Sequence, residues 1–171
     1  MKIEDTITHD KIDQTQQMLL TKLCCYDPDV VIPGHKNLSY FYEYQYELLK
    51  NTCAANNYFF GQIRIPRFEV YRIDENTLKI ENEYIFGRQL YYEHEFFDYY
   101  KEIIYNSLVL RSYKHVSCND FGPDNFILKG SKKGIESDVD WEISYVDLEG
   151  FFIDISLETR KRTFEKDMNK L

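Results

Sequence analysis

Three residues in the second half of this 171-residue chain have the types and spacing that phosphoryl transfer requires. Asp120 opens the run Asp120-Phe121-Gly122-Pro123-Asp124-Asn125, which leads straight into the apolar Phe126-Ile127-Leu128. Asp147 ends a later apolar stretch, in Val146-Asp147-Leu148-Glu149-Gly150. Moving a phosphoryl group from a nucleotide needs a carboxylate to orient and deprotonate the acceptor hydroxyl. It also needs oxygen ligands that hold Mg²⁺ on the phosphates. An Asp followed five residues on by an Asn supplies both tools, and a carboxylate at the end of a neighbouring strand completes the metal site. The same Asp and Asn also suit a polar turn that caps a strand, and Asp147 also suits a strand-end carboxylate facing water. The flanking elements decide between these readings.

Those elements read as an α+β chain. Residues 1–12 are polar and expected to be loosely held, and 17–25, "QMLLTKLCC", fits either a strand or the end of a helix. Two prolines and a glycine make 27–37 a loop, with a short extended piece at Val30–Ile32. Residues 39–53 lack Gly and Pro and place Phe41, Tyr44, Leu48 and Leu49 at helical spacing, with Ser39 as the expected N-cap. Strands are expected at 67–73 and 77–85, joined by Asp74-Glu75-Asn76 and ended by Gly87. The longest helix is expected at 91–113, with an acidic first turn that suits the helix dipole. Strands at 125–129 and 143–148 flank a polar loop, and a short helix near 156–170 closes the chain.

Composition narrows the function classes. A net charge of −8 argues against a general nucleic-acid binder, which needs positive charge to displace phosphate counterions. The same charge disfavours a metal-dependent nuclease. No apolar run approaches the roughly 20 residues that span a bilayer, and no signal peptide opens the chain. Cys24, Cys25, Cys53 and Cys118 show no paired CxxC spacing, so a zinc site is unsupported and buried free thiols are expected. The expected location is the cytoplasm. The 15 Tyr and 12 Phe suit aromatic packing with hydroxyls kept at a wet rim.

From residue 115 to 150 the chain resembles the protein-kinase-like fold, closest to its aminoglycoside and choline kinase branch. The catalytic loop H-x-D-L-x-x-x-N is matched by Cys118-Asn119-Asp120-Phe121-Gly122-Pro123-Asp124-Asn125, and the metal-binding D-x-E by Asp147-Leu148-Glu149. Glu83-Tyr84-Ile85-Phe86-Gly87 resembles the hinge, whose backbone groups bind adenine in that family. The resemblance spans about residues 40–155. It implies one kinase-like domain over 1–171, with an N-lobe of reduced antiparallel sheet and hinge at 1–87 and a truncated helical C-lobe at 88–171. It implies ATP as co-substrate with Mg²⁺ as cofactor, Asp120 as catalytic base, and Asn125 and Asp147 as metal ligands. Glu83, Tyr84 and Ile85 would bind the nucleotide base. A strand lysine would hold the phosphates and pair with a helix glutamate. Lys22 has the apolar flanks of a strand and is favoured over Lys36, which follows Pro33-Gly34 in a loop. Glu43 is favoured over Glu47 as its partner.

The sequence departs from the family in three places. It has no G-x-G-x-x-G loop, Cys118 stands where the catalytic-loop His would be, and only 24 residues follow Asp147, too few for the usual acceptor-binding helices. Two functions follow. The first is transfer of the γ-phosphate of ATP to a hydroxyl of a small molecule or protein. The alternative is a weak or inactive pseudokinase that serves as a protein-interaction module.

Overall fold

The computed structural model describes residues 2–12, 15–90, 101–107, 109, 116–118, 122–129 and 142–153, with single positions 158, 162, 165, 166 and 169. The chain divides into two units, the first made of Met1–Asn51 with Arg67–Tyr84 and the second of Thr52–Pro66 with Ile85–Leu171.

The first unit is a four-stranded antiparallel sheet and a helix. Strand β1 (Lys2–Ile12) pairs along its whole length with β2 (Thr15–Cys25). This corrects the expectation that the first residues are loose: a paired ladder satisfies their backbone groups regardless of polar side chains. It also settles 17–25 as strand. Residues 30–32 form no strand. After α1 (Leu38–Ala55) come strands β3 (Phe59–Phe60) and β4 (Ile63–Arg64), which belong to the second unit, and then β5 (Phe68–Arg72) and β6 (Thr77–Glu83). The sheet order is β1-β2-β6-β5, with residues 74–76 as the turn between the last two.

The start of α1 differs from the sequence reading by two residues. Asn37 caps it, its Oδ1 accepting from the Tyr40 N–H at 3.2 Å. The Ser39 hydroxyl, expected to cap, instead donates, with Asn37 Oδ1 at 2.8 Å and the Glu75 carbonyl at 2.7 Å. Asn37 Nδ2 reaches the Glu75 carbonyl and Asn76 Oδ1, so the cap also fastens the β5–β6 turn. The buried residues of α1 are Ser39, Gln45, Tyr46, Leu49 and Cys53, while Tyr44 is exposed. Tyrosines occur on two opposite sides of this helix, Tyr46 buried and Tyr44 exposed, so counting them as apolar blurred its inward face.

In the first unit α1 lies along β5. The Tyr46 ring meets Phe68 edge-on at 6.2 Å, and Arg72 reaches Glu43 and Ser39. Alternation along β6 is strict, with Leu78, Ile80 and Asn82 buried. Cross-strand pairing carries that face across the sheet as Leu20/Asn82/Phe68, Lys22/Ile80/Val70 and Cys24/Leu78/Arg72.

The second unit centres on a five-stranded sheet of order β3-β4-β10-β9-β7, where β7 is Arg88–Gln89, β9 Phe126–Lys129 and β10 Glu142–Tyr145. Its one parallel pairing joins β10 to β4. Strands β8 (Val116–Cys118) and β11 (Phe151–Ile153) form a separate antiparallel pair. Phe126, Tyr145 and Phe151 pack edge-on at 5.2 and 5.1 Å and fill the core beside Ile143, Leu128 and Leu148. Residues 101–107 are helical, within the helix expected at 91–113, whose first ten positions lie outside the described residues. The loop 130–141 and most of the expected terminal helix at 156–170 also lie outside them, although 158, 162, 165 and 166 are helical. Strands β3, β4, β7, β8 and β11 have two or three residues each, too short for a period-two pattern to show in sequence.

Candidate functional site

Asn125 and Asp147 are brought together by the ladder between β9 and β10. Tyr145 is the register partner of Phe126, and the pairing continues one step outward, the Val146 N–H donating to the Asn125 carbonyl at 3.0 Å. Asp147 is the next residue. This register puts the two α-carbons roughly 5–7 Å apart at one end of the strand pair.

Each backbone is fixed locally. Pro123 begins a 3₁₀ turn (Pro123–Asn125), where its missing N–H costs nothing. The Asn125 N–H closes that turn on the Gly122 carbonyl at 3.1 Å. Asp147 precedes a second 3₁₀ turn, Leu148–Gly150, with extended backbone at φ −91°, ψ 91°. The Leu148 side chain, 1% exposed, anchors that turn in the core. Both Asn125 and Asp147 are half-buried, and Asp124 between them in type is exposed.

Asp120 lies outside the described residues. Of the described residues, Cys118 pairs with Phe151, immediately after the Leu148–Gly150 turn, and the Gly122 carbonyl accepts from the Asn125 N–H. Glu149, in the turn after Asp147, has both carboxylate oxygens shielded from solvent. Asn125 and Asp147 both offer an oxygen donor, which fits a hard ion such as Mg²⁺. That ion typically takes one or two protein carboxylates and completes its shell with phosphates and water. Among the described residues no three His, Cys, Asp or Glu converge on a point, so a closed all-protein metal cage is not present there.

The first unit carries the remaining expected residues. Lys22, half-buried, lies mid-strand on β2 with Ile80 as its register partner, on the sheet face that α1 also covers. Glu43 was expected to pair with it. Glu43 is instead held by Arg72, whose Nε and Nη2 both reach Oε2, at 3.1 and 2.5 Å. The reason is distance: Arg72 is on β5, directly under α1, whereas Lys22 is two strands further across, about 10 Å at ordinary strand spacing. Lys36 is bonded to Glu75, which raises the pKa of its ammonium.

Glu83 ends β6 and Tyr84 follows it, with their N–H groups engaged by the Arg67 carbonyl at 2.8 Å and the Met18 carbonyl at 2.9 Å. Ile85 is buried and belongs to the second unit. Arg72 and Asn82 were missed. Asn82 shows itself in the alternation Leu78-Lys79-Ile80-Glu81-Asn82, which assigns an amide to an inward position. Arg72 carries no such sign, since its role depends on a helix laid over its strand.

The four cysteines were expected to be buried. Cys24 and Cys53 are, but Cys25 is exposed because it faces away from α1 on the alternating strand. The side chain of Cys118 lies outside the described residues. Among the described residues no helix is long and apolar enough to cross a membrane.

No family model matches the chain, and no curated sequence matches it. Solved structures do. A structure of WaaP in complex with acyl carrier protein covers 98% of this chain with a TM-score of 0.60 at 12% identity. The Rio2 kinase–ADP/Mg²⁺–phosphoaspartate complex from Chaetomium thermophilum covers 97% with a TM-score of 0.50 at 13% identity. The chain spans 65% and 50% of the lengths of those two proteins. These likenesses show a protein-kinase-like fold, here in a reduced α+β form.

Proposed function

We propose that this chain is a phosphotransferase that moves the γ-phosphate of ATP, with Mg²⁺, to a hydroxyl of a small molecule or protein. The observation that carries the reading is the β9–β10 register, which sets Asn125 beside Asp147 in a chain of protein-kinase-like fold. Asn125 and Asp147 hold the metal, and Mg²⁺ when bound screens the phosphate charge. Asp120 accepts the proton of the acceptor hydroxyl. Lys22 supplies positive charge for the phosphates from the centre of β2. Glu83, Tyr84 and Ile85 bind the nucleotide base. The aminoglycoside and choline kinase branch is the model for the acceptor, a hydroxylated small molecule.

The test is incubation with γ-labelled ATP and Mg²⁺. Label released or transferred by the wild type and lost in Asp120→Ala supports the reading. ATP recovered intact from the wild type contradicts it. A second reading, a binding module without catalysis, is favoured by one observation: the carboxylate expected to organise Lys22 is committed to Arg72. That reading expects partner capture unchanged in Asp120→Ala.

A further inference from the structure

The chain leaves α1 and enters β3 through two left-handed residues in succession, Asn57 at φ 52° and Tyr58 at φ 59°. Residues with a β-carbon seldom adopt that backbone, and it persists only where the surrounding structure holds it. Here the end of α1 does so. The Tyr58 N–H donates to the Cys53 carbonyl at 2.7 Å and the Asn57 N–H to the Ala54 carbonyl at 3.1 Å. Gly61, at φ 63°, then helps turn β3 into β4. The parallel pairing of β4 with β10 lays this hairpin beside the strand that leads to Asp147.

The hairpin supplies none of the proposed metal donors, but it does supply a ring. Phe60, 3% exposed, has its ring centre 6.3 Å from that of Phe151. Phe151 meets Tyr145 at 5.1 Å, and Tyr145 meets Phe126 at 5.2 Å. Three of the four rings belong to the site's own segments: Phe126 follows Asn125, and Tyr145 and Phe151 bracket Asp147 with the turn after it. Phe60 closes the row from outside those segments. Close-packed interiors pass the displacement of one ring to the next, and aromatic pairs fix a mutual tilt that aliphatic groups do not.

We propose that Phe60 is a positioning residue for the Mg²⁺ site: its ring backs Phe151, and Phe151 with Tyr145 sets the backbone that carries Asp147. This inference rests on the phosphotransferase reading above. It adds to that reading the β3–β4 hairpin, a part of the chain with no chemistry of its own at the site.

The test compares wild type with Phe60→Leu and with Tyr46→Leu, which removes the ring contact to Phe68 in the first unit. Amide exchange without nucleotide follows the Phe151 N–H, which closes the Leu148–Gly150 turn on the Leu148 carbonyl. Phe60→Leu is expected to speed that exchange by about tenfold, as a local loosening. Calorimetric titration of ATP at a series of Mg²⁺ concentrations gives the Mg²⁺ midpoint. Phe60→Leu is expected to raise it about tenfold, with ATP affinity in the absence of Mg²⁺ kept within about twofold. Tyr46→Leu is expected to lower the melting temperature and to leave both readouts within about twofold of wild type. If Phe60→Leu does not fold, Phe60→Met, closer in volume and likewise ringless, takes its place. A Mg²⁺ midpoint that stays at the wild-type value in the folded variant, or unchanged exchange at Phe151, overturns the role of Phe60 and leaves the metal site standing. An equal shift in Tyr46→Leu overturns it as well, by tracing the effect to general destabilisation. Wild type whose ATP binding ignores Mg²⁺ overturns this inference together with the reading beneath it.

Discussion

Arg72 on β5 grips Glu43 on α1 with two guanidinium nitrogens, while its third, Nη1, reaches Ser39 Oγ at 2.9 Å and the Asp74 and Glu75 carbonyls at 3.2 Å. The guanidinium also lies 3.7 Å from the centre of the Tyr40 ring. One side chain thus fastens the first turns of α1, the end of β5 and the turn that follows. Arg72→Ala is expected to destabilise the first unit by about 2 kcal/mol, from the loss of charge-assisted hydrogen bonds to partly buried groups. Urea unfolding measures it as a lower midpoint at unchanged slope. Arg72→Lys should recover less than half, because an ammonium cannot reproduce the planar fork or the ring stacking.

Gly87 lies tightly against β9. A β-carbon there would sit 2.2 Å from the Leu128 carbonyl oxygen and 2.5 Å from Ile127 Cγ2. The carbonyl is part of the ladder in which Arg88 pairs with Leu128 and Gln89 with Ile127, so it cannot yield without breaking strand pairing. Gly87→Ala is expected to cost about 2–3 kcal/mol, at the upper end of overpacking penalties. Amide exchange should report it locally, with protection lost at Gln89. Unchanged protection there would contradict the contact.

Burial pushes the Cys53 thiol up to about 12, from an ordinary value of 9.0. A group whose pKa is raised on folding lends stability that is intact below its unfolded value and is lost as pH rises through the folded one. The contribution of Cys53 is therefore steady to about pH 9 and declines between about 9 and 12. At pH 8, iodoacetamide should modify Cys25 rapidly and leave Cys24 and Cys53 untouched until the protein unfolds. Rapid labelling of Cys53 in the native state would contradict the packing of the α1 C-terminus.

Acid acts on the opposite sign of shift. Asp74 is held below the usual carboxylate range by the Asn76 backbone N–H, and Glu75 by its bond to Lys36. Carboxyl groups with lowered values stabilise above their unfolded pKa and lose that stabilisation as pH falls through the folded one. The β5–β6 turn should hold firm at pH 6 and loosen progressively below about pH 4.5. Amide protection of Asn76 and Thr77 followed with pH checks it, and Glu75→Gln should flatten the response.

The sequence made some of this legible and hid the rest for physical reasons. Strands β5, β6, β9 and β10 alternate or run apolar between turn residues, and they were read close to their observed bounds. Strand β1 was not, because "KIEDTITHDKI" is dense in charge and is held by backbone pairing to β2, a contact that composition does not encode. The strand-end positions of Asn125 and Asp147 were legible because each sits where an apolar strand meets a turn. The exchange of Lys22 for Arg72 as the partner of Glu43 depends on which strand underlies the helix, and sheet order is a long-range property. Asn82 was missed although the alternation along 78–82 assigns it an inward position, and its lack of partners among the described residues required the strands on both sides of it.

The central claim is that Asn125 and Asp147, joined by the β9–β10 register, form a Mg²⁺-dependent nucleotide site. The most direct measurement is calorimetric titration of ATP with and without Mg²⁺ into wild type and Asp147→Asn, a variant that keeps the side-chain shape and removes the charge. The account predicts that Mg²⁺ tightens ATP binding to wild type by about tenfold or more, at least the effect seen for second-sphere metal contacts, and that Asp147→Asn abolishes the tightening. Wild-type affinity that is the same with and without Mg²⁺, or a Mg²⁺ effect that survives in Asp147→Asn, would contradict it.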